Sequence, residues 1–386
     1  MKRQYKKTIL YLSSSINYYG AKKHFKAFIE YANFEQISMT VISLRDNFPD
    51  KFKENFQSIK FEEFNFEKLT SFPKWLKYLS RYKPHQIVFS ETWFAYFKWP
   101  AIFAGWLLTK GNVYMVEHTD IPPDLGGSRN LFRIWPKFKF REDNWRIRAL
   151  LCKRILTVSE SMKEKMVQFY KYPEGKIKVA YYPIDTNRFA PMQDGNYKMR
   201  KRHGIEKGDL VCIVVSRLEK TKGVDKAIEA FRLMIEVSRR RDVWLWVLGD
   251  GSLREELNKT VETGKIGDRV ILFGYQDNVE EYLKESDIFI LASEYEALGI
   301  VLLEAMSTGL VCVSTCTGGA KEIIKDKGFI VEHSAESIFK ALLYIIYMNK
   351  KEFDDMRVVG RRYILENYDR WSEGRKHLSA LGIPSR

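Results

Sequence analysis

The chain has 386 residues, of which 45% are hydrophobic and 29% are charged, and it contains four cysteines. At roughly 150 residues per domain, this length predicts two or three domains, each long enough to bury a core. The composition excludes a disordered chain, a collagen-like repeat and a small disulfide scaffold.

The whole positive excess of charge lies in the first half of the chain. The net charge is +15, and residues 1–190 hold 33 Lys and Arg against 18 Asp and Glu. Such asymmetry is typical of a protein that binds a polyanionic partner, which could be nucleic acid, an anionic membrane or an acidic substrate. A basic surface that is merely solvated would give the same distribution of charge. No signal peptide and no stretch of about 18 uninterrupted apolar residues occurs. We therefore expect a cytoplasmic protein with peripheral contact at the inner face of the membrane.

The N-terminal half alternates short apolar runs with helical patterns. The predicted strands are Thr8–Leu12, Ile37–Ser43, Gln86–Phe89, Val113–Val116, Ile155–Val158 and Ile177–Ala180. The predicted helices are Ala21–Tyr31, Lys74–Tyr82, an aromatic-rich stretch near 93–108, and Ser159–Phe169.

The C-terminal half shows the same alternation more clearly. Its predicted strands are Leu210–Val215, Val243–Leu248, Val270–Phe273, Ile288–Leu291, Val311–Thr315 and Phe329–Val331. Its predicted helices include Val224–Val237, Leu253–Val261 and Ile300–Met306. Strands that are apolar throughout, each followed by a helix, indicate parallel sheets covered on both faces.

The fold class is therefore α/β, with two Rossmann-like, doubly wound domains that we expect to face a central cleft. The turn-rich segment Phe189–Asn196 is the predicted linker. We predict a first domain over 1–190 and a second domain over 191–364. A C-terminal helix near 365–386 should pack back on the first domain.

Ligands of open parallel sheets bind at the carboxyl ends of the strands, so we expect the functional residues in the loops there. The first strand of the second half leads into Arg217 and Lys222, with Gly223 just before a helix. Two cations beside a glycine, whose backbone a ligand can approach closely, suit a phosphate. A solvated basic turn would have the same residue pattern. The next strand leads into Gly249 and Gly251, a tight turn.

Ser252 and Glu255 follow that turn with the spacing of a capping box for the next helix. Glu296 precedes, and Glu304 lies within, the helix that begins near Gly299. This carboxylate pair brackets a helix N-terminus, where free amides can face an anion. Surface carboxylates on an amphipathic helix are the structural alternative.

A second glycine turn, Thr317-Gly-Gly319, leads from the following strand into a helix with Glu322. In this order, the motifs R-L-x3-K-G, G-D-G, E-x7-E and G-G-x2-E resemble those of the retaining GT-B glycosyltransferases of family 4 (glycosyl transferases group 1). The resemblance is close over roughly residues 150–335 and looser before them.

The resemblance implies that residues 1–190 form the acceptor-side domain and residues 191–364 the nucleotide-sugar-binding domain. It also implies a role for each matched position. Arg217 and Lys222 would neutralise the donor diphosphate, and Glu296 would bind donor-sugar hydroxyls beside the reacting carbon. His118 would lie near the sugar and completes the predicted catalytic set. The donor-binding set implied in this way is Gly20, Gly249, Gly251, Tyr275, Leu298, Gly299, Ile300 and Glu304. No cofactor and no metal are expected, because the two cations replace a divalent ion.

Ala297-Leu298 stands where the family usually has Gly-Phe, which we expect to reshape the donor-sugar pocket. A separate basic and aromatic set suits an anionic lipid surface or the acceptor, and less well single-stranded nucleic acid. That set is Lys22, Lys23, Lys26, Arg133, Trp135, Lys137, Lys139 and Arg141.

The resemblance implies a hexosyltransferase-type enzyme that moves a sugar from a UDP- or GDP-type donor. The expected acceptor is a lipid-linked glycan, lipopolysaccharide or capsule precursor. The expected partners are therefore the donor, this acceptor and an anionic membrane, with no specific nucleic acid. The alternatives are a non-catalytic nucleotide-sugar-binding protein, a nucleic-acid-binding protein and a glycan phosphorylase with pyridoxal phosphate.

Overall fold

A computed structural model describes residues 9–13, 29–33, 37, 39–43, 59–63, 72–90, 98–117, 147, 149–169, 171–193 and 195–383. The chain forms two compact units. The first comprises Met1–Pro183 together with Arg370–Arg386, and the second comprises Ile184–Asp369.

The first unit contains a seven-stranded sheet in which every pairing is parallel. The strands are β1 (Ile9–Ser13), β2 (Met39–Ser43), β3 (Ile59–Glu63), β4 (Gln86–Ser90), β5 (Val113–Glu117), β6 (Arg154–Thr157) and β7 (Ile177–Val179). Their order is β3-β2-β1-β4-β5-β6-β7. The helices described are α1 (Phe72–Tyr82), α2 (Lys98–Leu108) and α3 (Glu160–Gln168).

Six of these strands lie where the apolar runs predict them, and β3 is an addition. Its sequence, Ile59-Lys-Phe-Glu-Glu63, mixes charges into the pattern because β3 lies at the edge of the sheet. Of the predicted helix Ala21–Tyr31, residues 21–28 lie outside the described residues, whereas 29–33 are helical.

The C-terminal helix α12 (Arg370–Ala380) belongs to the first unit, although it follows the second unit in sequence. The Gln86 side-chain amide donates to the Leu381 carbonyl at 2.7 Å, and the Arg154 guanidinium donates to the Ser379 carbonyl at 3.2 Å. Leu378 and Leu381 join the same core as Ile9 and Val88. The chain end is therefore anchored by both polar and apolar contacts.

The second unit contains a six-stranded parallel sheet in the order β10-β9-β8-β11-β12-β13. The strands are β8 (Leu210–Val215), β9 (Val243–Leu248), β10 (Val270–Gly274), β11 (Ile288–Leu291), β12 (Val311–Thr315) and β13 (Phe329–Val331). The helices are α4 (Lys198–Arg202), α5 (Val224–Ser238), α6 (Arg254–Thr263), α7 (Val279–Lys284), α8 (Ile300–Thr308), α9 (Ala320–Ile324), α10 (Ala335–Ile346) and α11 (Lys350–Asn367).

This order is that of a doubly wound nucleotide-binding sheet, with strand order reversing between β8 and β11. The apolar runs predicted the six strands almost to the residue, because strands covered on both faces are apolar throughout. The structure thus has the predicted fold class, two α/β units each built on a parallel sheet.

The division between the units falls before the predicted linker. It lies at Pro183–Ile184, whereas the turn-rich segment Phe189–Asn196 is part of the second unit. Phe189 is buried, and its carbonyl accepts hydrogen bonds from Ser307 at 2.7 Å and Arg361 at 3.1 Å. The turn-rich composition predicted a loop at this segment, but it did not predict that the loop packs against α8 and α11.

In the part of the chain that the structure describes, no helix combines the length and the apolarity that crossing a membrane requires.

Candidate functional site

The candidate site lies where β8 and β11 run side by side in the second unit. Both strands are buried, and their carboxyl ends lead into the loops 216–223 and 292–299. Strand order reverses between these two strands, so the following loops leave on opposite faces of the sheet and open a crevice between them. Arg217, Lys222 and Glu296 lie on these two loops.

An ion pair links the two loops across this crevice. The Lys222 ammonium nitrogen lies 2.6 Å from Oε1 of Glu296, and both side chains are about four-fifths buried. The same Glu296 oxygen accepts a hydrogen bond from the fully buried Ser293 hydroxyl at 2.9 Å. The Glu296 carboxylate is therefore fixed by a cation and a hydroxyl that approach one oxygen together.

The loops also approach each other through their backbones. The Glu294 amide donates to the Thr221 carbonyl at 2.8 Å. Gly223 adopts φ +61°, and a Cβ there would lie 2.1 Å from the Ala292 carbonyl oxygen. This position therefore requires glycine, and the close approach holds Lys222 opposite Glu296.

The Gly-Asp-Gly turn after β9 packs under the first of these loops. A Cβ on Gly249, at φ +134°, would lie 1.7 Å from the Ser216 carbonyl oxygen, and one on Gly251 would lie 2.5 Å from the Leu218 carbonyl oxygen. The backbone at both glycines thus packs directly against the loop that carries Arg217.

The capping box predicted from Ser252 and Glu255 is wrong. Helix α6 begins at Arg254 after Leu253, and its first turn has no side-chain cap. Leu253 instead donates its amide to the Leu218 carbonyl at 3.0 Å, so packing against the Arg217 loop fixes the start of the helix.

Helix α8 begins directly after Gly299, which has φ +88°, and no side chain caps its first amides. Glu304 lies one turn further along and is only 1% exposed. Ile300, the first helical residue, is half-buried. Free amides at a helix N-terminus favour an anion, so this end of α8 can receive a phosphate.

The glycine turn after β12 lies against the loop that carries Glu296. A Cβ on Gly318 would lie 1.8 Å from the Glu296 carbonyl oxygen, and one on Gly319 would lie 2.7 Å from Cα of Leu298. The side chain of Leu298 is buried, in contact distance of that turn. The Leu298 side chain therefore packs against that turn, and the expected effect of Ala297-Leu298 on a donor-sugar pocket stays a prediction.

Arg217 and Tyr275 are the accessible members of the predicted set. The Arg217 guanidinium pairs with Glu219 at 2.8 Å and is more than half exposed. Tyr275 is also nearly half exposed, and its hydroxyl donates to Asp277 at 2.5 Å. Both side chains are therefore accessible to a ligand from solvent.

Two polar residues near these groups were not singled out from the sequence. Ser293 is the second residue after β11, and its hydroxyl donates to Glu296. Arg188 pairs with Glu280 at 2.9 Å. The pKa of Arg188 is raised above its usual range, first by the hydrogen bond to Glu280 and more weakly by the charges of Glu304 and Asp185. The position of Ser293, three residues before a strand-end glutamate, would have signalled its role. No sequence spacing signals that of Arg188.

The remaining predicted residues lie outside the described part of the chain. They are His118, Gly20, Lys22, Lys23, Lys26, Arg133, Trp135, Lys137, Lys139 and Arg141. Among the described residues, no cluster of three or more His, Cys, Asp or Glu side chains could hold a metal ion.

The described groups therefore combine two kinds of recognition at one edge of the sheet. Lys222, Arg217 and the first amides of α8 attract an anion. Glu296 and Glu304 are carboxylates that accept hydrogen bonds from hydroxyl groups. A ligand with a phosphate group and sugar hydroxyls satisfies both.

Comparison with protein families gives two matches that together span most of the chain. The family model described as Glycosyl transferases group 1 matches residues 196–358, and that of Glycosyltransferase Family 4 matches residues 19–188.

Among curated proteins, the chain is 34% identical over 181 residues to N-acetyl-alpha-D-glucosaminyl L-malate synthase of Bacillus anthracis, covering 46% of each chain. It is 28% identical over 196 residues to the UDP-Gal:alpha-D-GlcNAc-diphosphoundecaprenol alpha-1,3-galactosyltransferase of Escherichia coli, covering 50% of this chain and 51% of the relative. The chain thus spans about half the length of the curated relatives it matches.

Among solved structures, Anabaena HepE in complex with UDP and glucose superposes with a TM-score of 0.75 at 19% identity, covering 97% of this chain and 99% of the other. At this identity the likeness concerns the fold, which is the GT-B fold of glycosyltransferases.

Proposed function

This chain belongs to the glycosyltransferases of group 1 and family 4, and we propose that it transfers a sugar from a nucleotide-diphosphate sugar to a lipid-linked glycan, lipopolysaccharide or capsule-type acceptor. The donor is of the UDP or GDP type. The reaction retains the anomeric configuration and needs neither a metal ion nor another cofactor.

The Lys222–Glu296 pair, beside the uncapped start of α8, is the observation that carries this proposal. A donor diphosphate placed there meets the ammonium group of Lys222 and the first amides of α8 together. Arg217, which is exposed on the same loop as Lys222, adds a second cation. These groups stabilise the negative charge that grows on the leaving diphosphate.

The two carboxylates divide the rest of the donor between them. Glu304 lies within α8 and accepts hydrogen bonds from the ribose hydroxyls. Glu296 lies before α8 and accepts hydrogen bonds from the hydroxyls of the transferred sugar, beside the amides of Gly299 and Ile300. Gly249 and Gly251 pack against the Arg217 loop and thereby hold it close to the donor phosphates. Tyr275 borders the base.

Glu296 serves as a hydrogen-bond acceptor and not as the nucleophile. One of its oxygens already accepts from Lys222 and Ser293, which holds the carboxylate in place and lowers its nucleophilicity. In the proposed reaction, the acceptor hydroxyl attacks the anomeric carbon from the side of the departing diphosphate. The bond between the anomeric carbon and the diphosphate oxygen breaks, and this leaving oxygen takes the proton of the attacking hydroxyl.

The acceptor class rests on the curated relatives. The relative from Escherichia coli is named as acting on a diphosphoundecaprenol-linked sugar. The excess of cations over residues 1–190 is consistent with such an anionic, lipid-linked substrate and with contact at a membrane surface.

Thermal unfolding with millimolar UDP, GDP, ADP, CMP and TDP tests the donor site directly. A ligand at about 100 times its dissociation constant adds about 2.7 kcal/mol of stability, or several degrees for a unit of this size. We expect a shift with UDP or GDP that is lost in the Arg217→Ala, Lys222→Ala double variant. It should persist in Arg241→Ala, Lys340→Ala, which removes two exposed cations elsewhere in the same unit.

No shift with any nucleotide, or an equal shift in the Arg217→Ala, Lys222→Ala variant, would contradict the site. A shift without sugar transfer to any acceptor extract would instead favour a nucleotide-sugar-binding protein. The anomeric configuration is read from the product by NMR, and turnover in the presence of a chelator tests independence from metal.

A further inference from the structure

The first unit carries an apolar surface on helix α2 that nothing in the described structure covers. Phe103 and Leu107 lie one turn apart and are 42% and 56% exposed. Trp106 stacks on Phe103 with ring centroids 6.1 Å apart, and Leu108 is half-exposed beside them. Apolar patches of this kind on a soluble unit mark sites of interaction.

This face of α2 cannot be turned inward by a small rotation of the helix. The opposite face, with Ile102 and Ala104, is buried in the core. A Cβ on Gly105 would lie 2.9 Å from Cδ1 of Ile87 in β4, so the helix packs tightly on the sheet. The exposed face is therefore a fixed property of the surface.

Helix α1 lies beside α2 and exposes one apolar residue and several cations of its own. Leu76 is 40% exposed, and Lys77, Arg81 and Lys83 are exposed as well. Lys110 is exposed just after α2. The two stretches 72–90 and 98–112 contain no Asp and no Glu. We call this region the α1–α2 surface.

The exposed apolar residues of the second unit have a different setting. Val358 and Val359 on α11 are 55% and 45% exposed, but the same helix carries Asp354, Asp355 and Glu366. That helix also carries Arg357, Arg361 and Arg362, so these valines are ordinary surface residues among charges of both signs. The α1–α2 surface instead combines aromatic and leucine side chains with cations alone.

We propose that the α1–α2 surface docks the first unit on an anionic lipid bilayer. An 11-residue helix is about 16 Å long, so α2 lies in the plane of the interface with Phe103 and Leu107 directed among the lipids. Trp106 occupies the headgroup level that indole rings favour. The surrounding lysines reach the anionic headgroups with their long side chains.

A second copy of this chain fits the same surface less well. A two-fold dimer would place identical patches face to face, and the cations would then oppose one another. An anionic bilayer satisfies the apolar and the cationic parts together. The inference deepens the proposed function, because a lipid-linked acceptor would be met at such an interface, but lipid binding can be measured without any turnover.

Co-sedimentation with vesicles tests the proposal on the full chain. Vesicles of phosphatidylglycerol mixed with phosphatidylcholine are compared with vesicles of phosphatidylcholine alone, at low and high salt. We expect binding to the anionic vesicles that weakens as salt rises. The Phe103→Glu, Leu107→Glu variant should bind about tenfold more weakly or worse, because it replaces buried apolar contact by negative charge.

The matched control is Val358→Glu, Val359→Glu, which adds the same charge to the second unit and should bind like the unchanged protein. A second variant, Lys77→Gln, Arg81→Gln, Lys110→Gln, keeps the apolar face and should lose mainly the dependence on anionic lipid. Thermal unfolding establishes that each variant folds.

The proposal is overturned if the unchanged protein ignores anionic vesicles, or if the Phe103→Glu, Leu107→Glu variant binds them as well as the control does. It is also overturned if light scattering shows a dimer that this variant abolishes, since the face would then join two copies. Nucleotide-induced thermal shifts are recorded on the same samples. Failure of the donor site is thereby distinguished from failure of the lipid surface.

Discussion

The ion pair between Lys222 and Glu296 should stabilise the second unit as well as serve the donor. Lys222→Met keeps most of the side-chain volume and removes the charge, leaving the Glu296 carboxylate with the Ser293 hydroxyl as its described partner on that oxygen. Exposed pairs contribute about 0.2–1 kcal/mol, and loss of one partner from a fully buried pair costs about 3–5 kcal/mol. With side chains 18% and 20% exposed, this pair lies between those limits, and we expect a loss of about 2 kcal/mol.

A double-mutant cycle separates this pair from its surroundings. Glu296→Gln retains a hydrogen-bond acceptor and should cost about 1 kcal/mol. The double variant should cost less than the sum of the two single variants, with a coupling of about 1 kcal/mol. Urea unfolding of the four proteins measures the cycle. In thermal unfolding, Lys222→Met should lower the transition of this unit by roughly 4–8 °C.

Arg232→Met is the matched control, because Arg232 forms its 2.8 Å contacts with Glu229 and Glu236 on an accessible face of α5. Its effect should stay below about 1 kcal/mol. Strict additivity in the Lys222 and Glu296 cycle would refute the reasoning, as would a Lys222→Met variant no less stable than this control. Turnover is a separate readout, and Lys222→Met should lower it about 100-fold because the cation also stabilises the leaving diphosphate.

Three further outcomes follow from single positions. Gly249→Ala should cost about 3 kcal/mol or more in urea unfolding, because its Cβ would overlap a backbone carbonyl, whereas Gly208→Ala, with open space around it, should be near neutral. Burial lowers the pKa of His377 to about 4, so the unfolded chain binds the extra proton first as pH falls below 6.5. Stability of the first unit should therefore fall by up to about 3 kcal/mol between pH 6.5 and pH 4, and a His377→Gln variant should lack this part of the slope. Arg188→Gln should weaken nucleotide binding about tenfold in calorimetry, because it removes a positive charge that attracts the buried carboxylate of Glu304. Arg188→Lys restores the charge and should recover part of the loss.

The strands of the second unit were predictable because burial on both faces favours apolar and small residues along the whole strand. Val243–Leu248 and Val311–Thr315 are unbroken apolar or small runs, and the structure has strands at the same residues. The edge strand Ile59–Glu63 escaped the same reasoning, since an exposed edge carries charges that disguise it. Apolar patterning therefore finds the centre of a sheet more readily than its margin.

The members of the candidate site were predictable one by one, but their contacts were not. Lys222 and Glu296 each follow an apolar strand, which marks both as strand-end residues. Their 2.6 Å contact depends on β8 lying beside β11, and this adjacency arises from the reversal of strand order in the folded sheet. The buried orientation of the Leu298 side chain depends likewise on the turn at Gly319, which packs on it only in three dimensions.

The helix starts of the described structure add a last argument for the site. Three helices begin with a side-chain cap, since Ser159, Ser334 and Asn349 accept hydrogen bonds from amides of α3, α10 and α11. Helices α4, α6, α7 and α9 begin without a side-chain cap. What distinguishes α5 and α8, which flank the Lys222–Glu296 pair, is that each of these two uncapped helices begins at a glycine with positive φ, Gly223 and Gly299. Glycine at the cap position costs a helix only roughly a few tenths of a kcal/mol relative to serine or asparagine. At α8 the uncapped amides remain available to a phosphate, and the same glycine lets the chain approach it closely, so this start suits the donor at little cost in helix stability.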